Sequence, residues 1–192
     1  MLLCADAGAA AADLASGRLA CPSCGTGRLA RWGYGRERVI RLLDGATVRL
    51  RPGRGRCVSC RATHILLPAW CAPRRADAIE VIATGLAAAL GGAGAGRIGA
   101  DLGVPAATVR GWLRRLRGAE EMRCYATREL GVIGGASPEL PAPAASPLGE
   151  ALNAVAAAAH AAITSRGYTR ADMWPLLGRF GLARHLAPAR AG

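Results

Sequence analysis

Cys21-Pro22-Ser23-Cys24-Gly25 and Cys57-Val58-Ser59-Cys60-Arg61 bracket the stretch from which the rest of the chain is read. Each is a Cys-x-x-Cys knuckle, whose spacing lets two thiolates of one tight turn grip a single ion. Two knuckles supply four sulfurs, Cys21, Cys24, Cys57 and Cys60, the tetrahedral donor set of a structural zinc. The 32-residue insert between Cys24 and Cys57 suits a zinc ribbon, in which a β-hairpin grows out of the metal site. A segment this small buries too little apolar surface to fold alone, so Zn2+ is expected to be a structural cofactor. An iron–sulfur centre also takes four thiolates, but the ribbon spacing favours zinc. A redox pair would sit beside a βαβ pattern, which is absent. His64, four residues past Cys60, is either a substitute ligand or a strand residue, and with four cysteines at hand the strand reading is preferred. Cys71 is expected to pack against Trp70, and Cys4 is a stray thiol.

Inside the insert, Leu29–Tyr34 starts a strand. Arg38–Leu43 and Thr47–Arg51 flank Asp44-Gly45, which predicts a hairpin closed by a type I′ turn. Arg31, Arg49, Arg51, Arg54, Arg56 and Arg61 are candidates for a phosphate-facing surface, or else a solvated charged face. Pro73 closes the ribbon. Asp77 is then a candidate cap or first-turn acid for a helix running to Leu90, with Ile79, Val81, Ile82 and Leu86 at helical spacing. Gly91–Gly96 breaks that helix. It follows a helix rather than a strand and lacks Lys-Ser/Thr, so it is not a phosphate-binding loop.

Arg97 to Arg117 reads as helix, tight turn, helix. Ile98 and Leu102 face inward, Gly99 allows a close crossing, and Gly103 suits a positive-φ turn. Val104 plugs the turn, and Pro105 fits the first turn of the second helix. Val109, Trp112, Leu113 and Leu116 form that helix's buried stripe. This is the pattern of a helix-turn-helix that presents its second helix to the DNA major groove. Ala106, Ala107 and Thr108 are small enough for close approach to base edges. Arg110 is assigned to a base, Arg114 to a base or phosphate, and Arg117 to phosphate; Arg49, Arg51 and Arg54 of the ribbon are assigned to phosphate. The alternative is a basic, solvated helix.

Charge supports a polyanionic partner. The 192 residues carry a net +12, and all 25 basic residues are arginine. Residues 1–75 hold 13 arginines against 4 acids, so the first module carries most of the excess. Apolar residues make up 52% of the chain, but much of that is alanine, so the core is expected to be modest. Asp6 and Asp13 fall early, with no basic leader, so no secretory signal is expected. No apolar run is long enough to cross a membrane. A cytoplasmic, nucleoid location and no membrane partner are expected.

The expected class is α+β, a small β zinc ribbon followed by a mainly helical part. Its divisions are an N-terminal helix (1–20, the helix itself from Asp6 to Leu19), the ribbon (21–72), a helix-turn-helix domain (74–125), a linker (131–147) and a C-terminal helical segment (148–192). The last is read as a helix from Pro147 to Ser165 and another from Arg170 to Leu186, interrupted at Pro175. It either docks or dimerises the protein or packs back on it. His160 and His185 receive no role.

With these elements placed, the chain resembles the zinc-ribbon plus helix-turn-helix proteins that accompany bacterial insertion-sequence transposases, and the N-terminal DNA-binding region of certain transposases. The matching residues are Cys21-Pro-Ser-Cys-Gly, Arg31-Trp32-Gly33-Tyr34, Cys57-Val-Ser-Cys, Thr63-His64-Ile65-Leu66-Leu67-Pro68 and Val104-Pro-Ala-Ala-Thr-Val-Arg-Gly-Trp-Leu-Arg-Arg. The resemblance implies recognition of double-stranded DNA in a mobile-element setting. The three-carboxylate catalytic domain of such transposases has no counterpart pattern here. No enzymatic activity and no catalytic residue are therefore expected, and a separate transposase subunit would supply catalysis. A homodimer is compatible with this reading, as is transcriptional regulation. The rivals are a protein-interaction adaptor using the ribbon and C-terminal helices, and an RNA-binding ribbon.

Overall fold

The computed structural model describes residues 1–134 and 143–186. The chain is α+β, a small sheet followed by a mainly helical part. Four strands form the ribbon sheet: β1 (Leu2–Cys4), β2 (Leu29–Tyr34), β5 (Gly53–Cys57) and β6 (Thr63–Pro68), in the order β1-β6-β5-β2. β2 and β5 pair antiparallel, with Leu29 opposite Cys57, as do β5 and β6, with Gly55 opposite His64. Two strands, β3 (Arg38–Arg41) and β4 (Thr47–Leu50), form a separate hairpin.

The helix expected from Asp6 to Leu19 is present but shorter, and a strand not expected from the sequence precedes it. Leu2–Cys4 is a strand, paired in parallel with β6 (Leu2 opposite Leu66), and only Ala7–Ala15 is helix α1. The Asp6 carboxylate accepts from the Ala9 amide at 2.9 Å and caps α1, which fixes where strand gives way to helix. Ala10 and Leu14 of α1 pack against Leu29, Leu66 and the thiols of Cys21 and Cys57.

The hairpin turn also differs. Gly45 has φ +84, but Asp44 does not share the positive φ that a type I′ turn requires. The Gly45 amide donates to the Leu42 carbonyl at 3.1 Å, and the Leu42 amide to the Ala46 carbonyl at 2.8 Å. This is a three-residue loop, a tight turn followed by one left-handed glycine.

The hairpin leans on the helical part. Ile40 is fully buried in the same core as the helices. The Arg41 amide donates to the Ala76 carbonyl at 2.7 Å, and the Ala78 amide donates to the Arg41 carbonyl at 2.9 Å. The Leu43 amide donates to the Glu80 carboxylate, in the first turn of α2 (Ile79–Leu90). Ribbon and helices are therefore joined, through this hairpin and through Leu67 of β6, which is buried in the same core, rather than strung as separate modules. Asp77 is not a cap: Ala78 holds that position, and Asp77 is buried 3.4 Å from the Arg41 guanidinium.

α2, α3 (Ala95–Leu102) and α4 (Ala106–Arg115) pack together around Ile82, Leu86, Ile98, Val109 and Trp112. α5 (Ala119–Gly134) and α6 (Pro147–Ser165) complete the core with Met122, Ala126, Val155 and Ala158. The expected linker is thus helical at 131–134 and at Pro147, while 135–142 lies outside the described residues. The Ser146 hydroxyl accepts from the Gly149 amide and caps α6. The final segment folds back, with Leu176, Phe180 and Leu186 buried in the same core. Pro175 does not interrupt it. It lies in the first turn of α7 (Met173–Leu177), where its missing N–H has no intrahelical acceptor to lose. The break comes at Gly181, which has non-helical torsions. Residues 187–192 of the expected C-terminal segment lie outside the described residues.

Candidate metal centre and nucleic-acid interface

Cys21 and Cys24 leave the knuckle before β2, while Cys57 ends β5 and Cys60 follows in the next turn. The antiparallel pairing of β2 with β5 brings the two knuckles together. All four sulfurs lie within 4.8 Å of one another, the Cys21–Cys60 and Cys24–Cys57 pairs each at 3.7 Å. Thiolates held about 2.3 Å from one ion in a tetrahedron sit about 3.8 Å apart, so the set fits a four-sulfur metal centre.

The two knuckles repeat one backbone solution. Gly25 follows the first with φ +71, and Arg61 follows the second with φ +65. Within the knuckles, amides point at sulfur: Ser23 N–H at Cys21 (3.4 Å), Gly27 N–H at Cys24 (3.3 Å) and Cys60 N–H at Cys57 (3.4 Å). The Gly27 amide leads in lowering the Cys24 thiol to about 6. Burial raises Cys57, but the Cys60 and Ser59 amides and the neighbouring sulfurs outweigh it and leave that thiol lowered. The Ala62 amide pulls Cys60 down, yet burial and the three sulfurs beside it push its thiol up to about 12. A cluster that holds one thiol protonated against its neighbours' charge is one that a divalent cation relieves.

His64 is a buried strand residue, as the cysteine count implied, and it stands outside the sulfur cluster. Its place beside that cluster was not foreseen: Nε2 lies 3.6 Å from Cys21 Sγ and 3.3 Å from Ser23 Oγ. The signal was present in the strand alternation, which puts His64 on the face of Gly55 and Leu29, toward α1 and the sulfurs. Cys71 is buried away from the cluster, and burial pushes its thiol up to about 12. Cys4 lies at the end of β1, its thiol also raised by burial.

The helix pair has the geometry its sequence predicts. Gly103 has φ +62, its amide donates to Ala100 O, and the Val104 amide donates to Gly99 O at 2.9 Å, a glycine-terminated helix end. A Cβ on Gly99 would stand 2.7 Å from the Val104 carbonyl oxygen, so only glycine lets α3 meet the start of α4 this closely. Pro105 sits one position earlier than expected, at the N-cap of α4. Val109 and Trp112 are buried, while Ala107, Arg110, Arg114 and Arg115 are exposed. Ala107, Arg110 and Arg114 fall three and four residues apart and share the outward face. Ala106 and Thr108 are half-buried, Ala106 against Gly99. The Arg117 side chain lies outside the described ones. Among the described residues, Arg110 and Arg114 form no ion pair, whereas Arg97 on α3 pairs with Asp101.

The ribbon arginines are spread over different surfaces. Arg49 on the hairpin pairs with Glu37 at 2.9 Å. Arg51 lies over the Tyr34 ring, and Arg54 reaches the Thr63 hydroxyl at 3.3 Å. Arg56 lies over the exposed Trp32 ring, 4.7 Å from its centroid.

Residues 21–112 match the model of a family described as a domain of unknown function (DUF6431). The match begins at the first metal-site cysteine and ends at the buried tryptophan of α4. It spans the four cysteines, the hairpin, α2, α3 and the first part of α4. No curated protein and no solved structure matches the chain. Among the described residues no helix is long and apolar enough to cross a membrane.

Proposed function

We propose that this is a sequence-preferring DNA-binding protein whose four-cysteine centre holds a structural zinc. The observation that carries the reading is α4. Its apolar stripe is buried, its N-terminal turn is tightly anchored on α3, and Ala107, Arg110 and Arg114 face outward together. A helix presented in this way, free of acids along its length, suits entry into a major groove, with Arg110 on a base edge and Arg114 on a base or phosphate. The ribbon arginines add sequence-independent attraction to the backbone. The setting we favour, beside a separate transposase subunit or as a transcriptional regulator, rests on the family resemblance. The proposal assigns no catalysis to this chain.

The adaptor reading draws less support. α6 and the segment after it spend their larger apolar side chains, Val155, Leu176, Phe180 and Leu186, on the chain's own core. The test is selection from a random duplex library by the zinc-loaded protein, beside Arg110→Ala/Arg114→Ala. An enriched motif that the double variant loses is the expected result. A fully folded wild type that enriches nothing would sink the proposal. Each base-reading arginine should contribute roughly 1–3 kcal/mol of discrimination.

A further inference from the structure

The edge strand β2 leaves two large aromatic rings in solvent. Trp32 is 53% exposed and Tyr34 is 50% exposed, and among the described residues no other Trp, Tyr or Phe ring is exposed. Each ring is flanked by guanidinium groups. Arg56 lies 4.7 Å from the Trp32 ring centroid, and Arg31 and Arg51 each lie 5.2 Å from that of Tyr34. The strand register explains the grouping. Ala30 stands opposite Arg56, so Trp32 shares a sheet face with Arg56 and Arg54. The pairing then shifts between Arg31 and Tyr34, at Gly33 with φ +88, and turns Tyr34 toward Arg31, whose guanidinium bonds its hydroxyl at 2.5 Å.

The surrounding charge has one sign. The ribbon's acids, Glu37 and Asp44, are both engaged on the hairpin, Glu37 by Arg49 and Asp44 by the Ala46 amide. The Arg56 guanidinium also bonds the Arg61 carbonyl, which holds it over Trp32. Cation–π pairing keeps one face of each ring charged and the ring itself oriented, while the exposed remainder stays open.

We infer that the Trp32 face of the ribbon is a stacking platform for unpaired nucleobases, and so a single-stranded nucleic-acid site distinct from α4. A flat, exposed indole stacks on any base π-face but cannot reach bases already stacked in a duplex. Arg54 and Arg56 beside it meet the phosphates of the same strand. Ring plus guanidinium, with no acid engaged there, is the chemistry of single-strand binding and favours it over an apolar protein partner.

The test uses the zinc-loaded full chain and homothymidine and homouridine oligonucleotides of roughly twenty nucleotides. Tryptophan fluorescence should be quenched on binding, and the quench should vanish in Trp32→Ala, because of the four tryptophans Trp32 alone is exposed, while Trp112 is buried and Trp70 and Trp174 are half-buried. Affinity in Trp32→Ala should fall roughly 5- to 100-fold, the loss of one stacked base. Trp32→Phe should recover most of it, and Trp32→Ala should still enrich the duplex motif that the wild type selects, which separates this site from duplex recognition by α4. Trp32-dependent binding of either oligonucleotide upholds the inference. If neither binds, or if Trp32→Ala binds as the wild type does, it is overturned.

Discussion

In the ribbon sheet, Ala10, Leu14, Leu29 and Leu66 are buried around the sulfurs of Cys21 and Cys57. In the helical part, Ile79, Ile82, Leu86, Ile98, Trp112, Met122, Val155 and Leu186 join one continuous core. The first set is too small to offset the conformational entropy of ordering four strands, and the second is large enough to do so by burial alone. The two regions are thus held by different means: four sulfurs placed to grip a metal ion in the ribbon sheet, and apolar packing in the helical part.

The largest effect expected is therefore from metal removal. A structural zinc contributes on the order of 10 kcal/mol to the fold of its own module. A chelator, or Cys57→Ser, should abolish ribbon structure while leaving most of the helical circular-dichroism signal. Concerted loss of both would break the comparison and make the metal the keystone of the whole chain.

The hairpin sharpens the comparison because it belongs to the ribbon in sequence and to the helices in packing. Ile40 is 0% exposed, within the helical core. Ile40→Ala should cost about 3 kcal/mol, and the cost should appear in the thermal midpoint of the helical signal. If only the ribbon signal moves, β3 and β4 answer to the metal instead.

These two regions were not equally legible in the sequence. The knuckles and the helix-turn-helix were readable because their determinants are local. Cys-x-x-Cys fixes a turn, Gly103-Val104-Pro105 fixes another, and the spacing of Val109, Trp112 and Leu116 fixes a buried face. What stayed hidden depends on distant partners. Leu2–Cys4 becomes a strand only because Leu66–Pro68 offers a free edge, and nothing within the first twenty residues announces that pairing. Asp77 looked like a cap because it precedes a helix, yet its partner is Arg41 on a hairpin 36 residues earlier. The grouping of Tyr34 with Arg31 and Arg51 follows from a shift of register that alternation alone would place differently.

The smallest effect expected is at the joint between the two regions, where Arg41 carries two contacts. Its guanidinium lies 3.4 Å from the buried Asp77 carboxylate and also donates to the Gly103 carbonyl in the turn before α4. The Arg41 side chain is 29% exposed, so Arg41→Ala should cost only about 1 kcal/mol. Its pH dependence tells which contact matters. Burial raises the Asp77 carboxyl, while Arg41 and then Arg75 pull it down. A carboxyl raised by folding stabilises the fold while protonated, and that contribution is lost as pH rises through the folded value. Removing Arg41 takes away the stronger lowering neighbour, so Asp77 rises further. The cost of Arg41→Ala should then be greatest near neutral pH and shrink as the pH falls toward that raised value. The same substitution on an Asp77→Asn background should show a flat cost, read from denaturant unfolding of the helical signal. If the wild-type background is equally flat, Arg41 acts through the Gly103 carbonyl, and the ribbon is joined directly to the turn that positions α4.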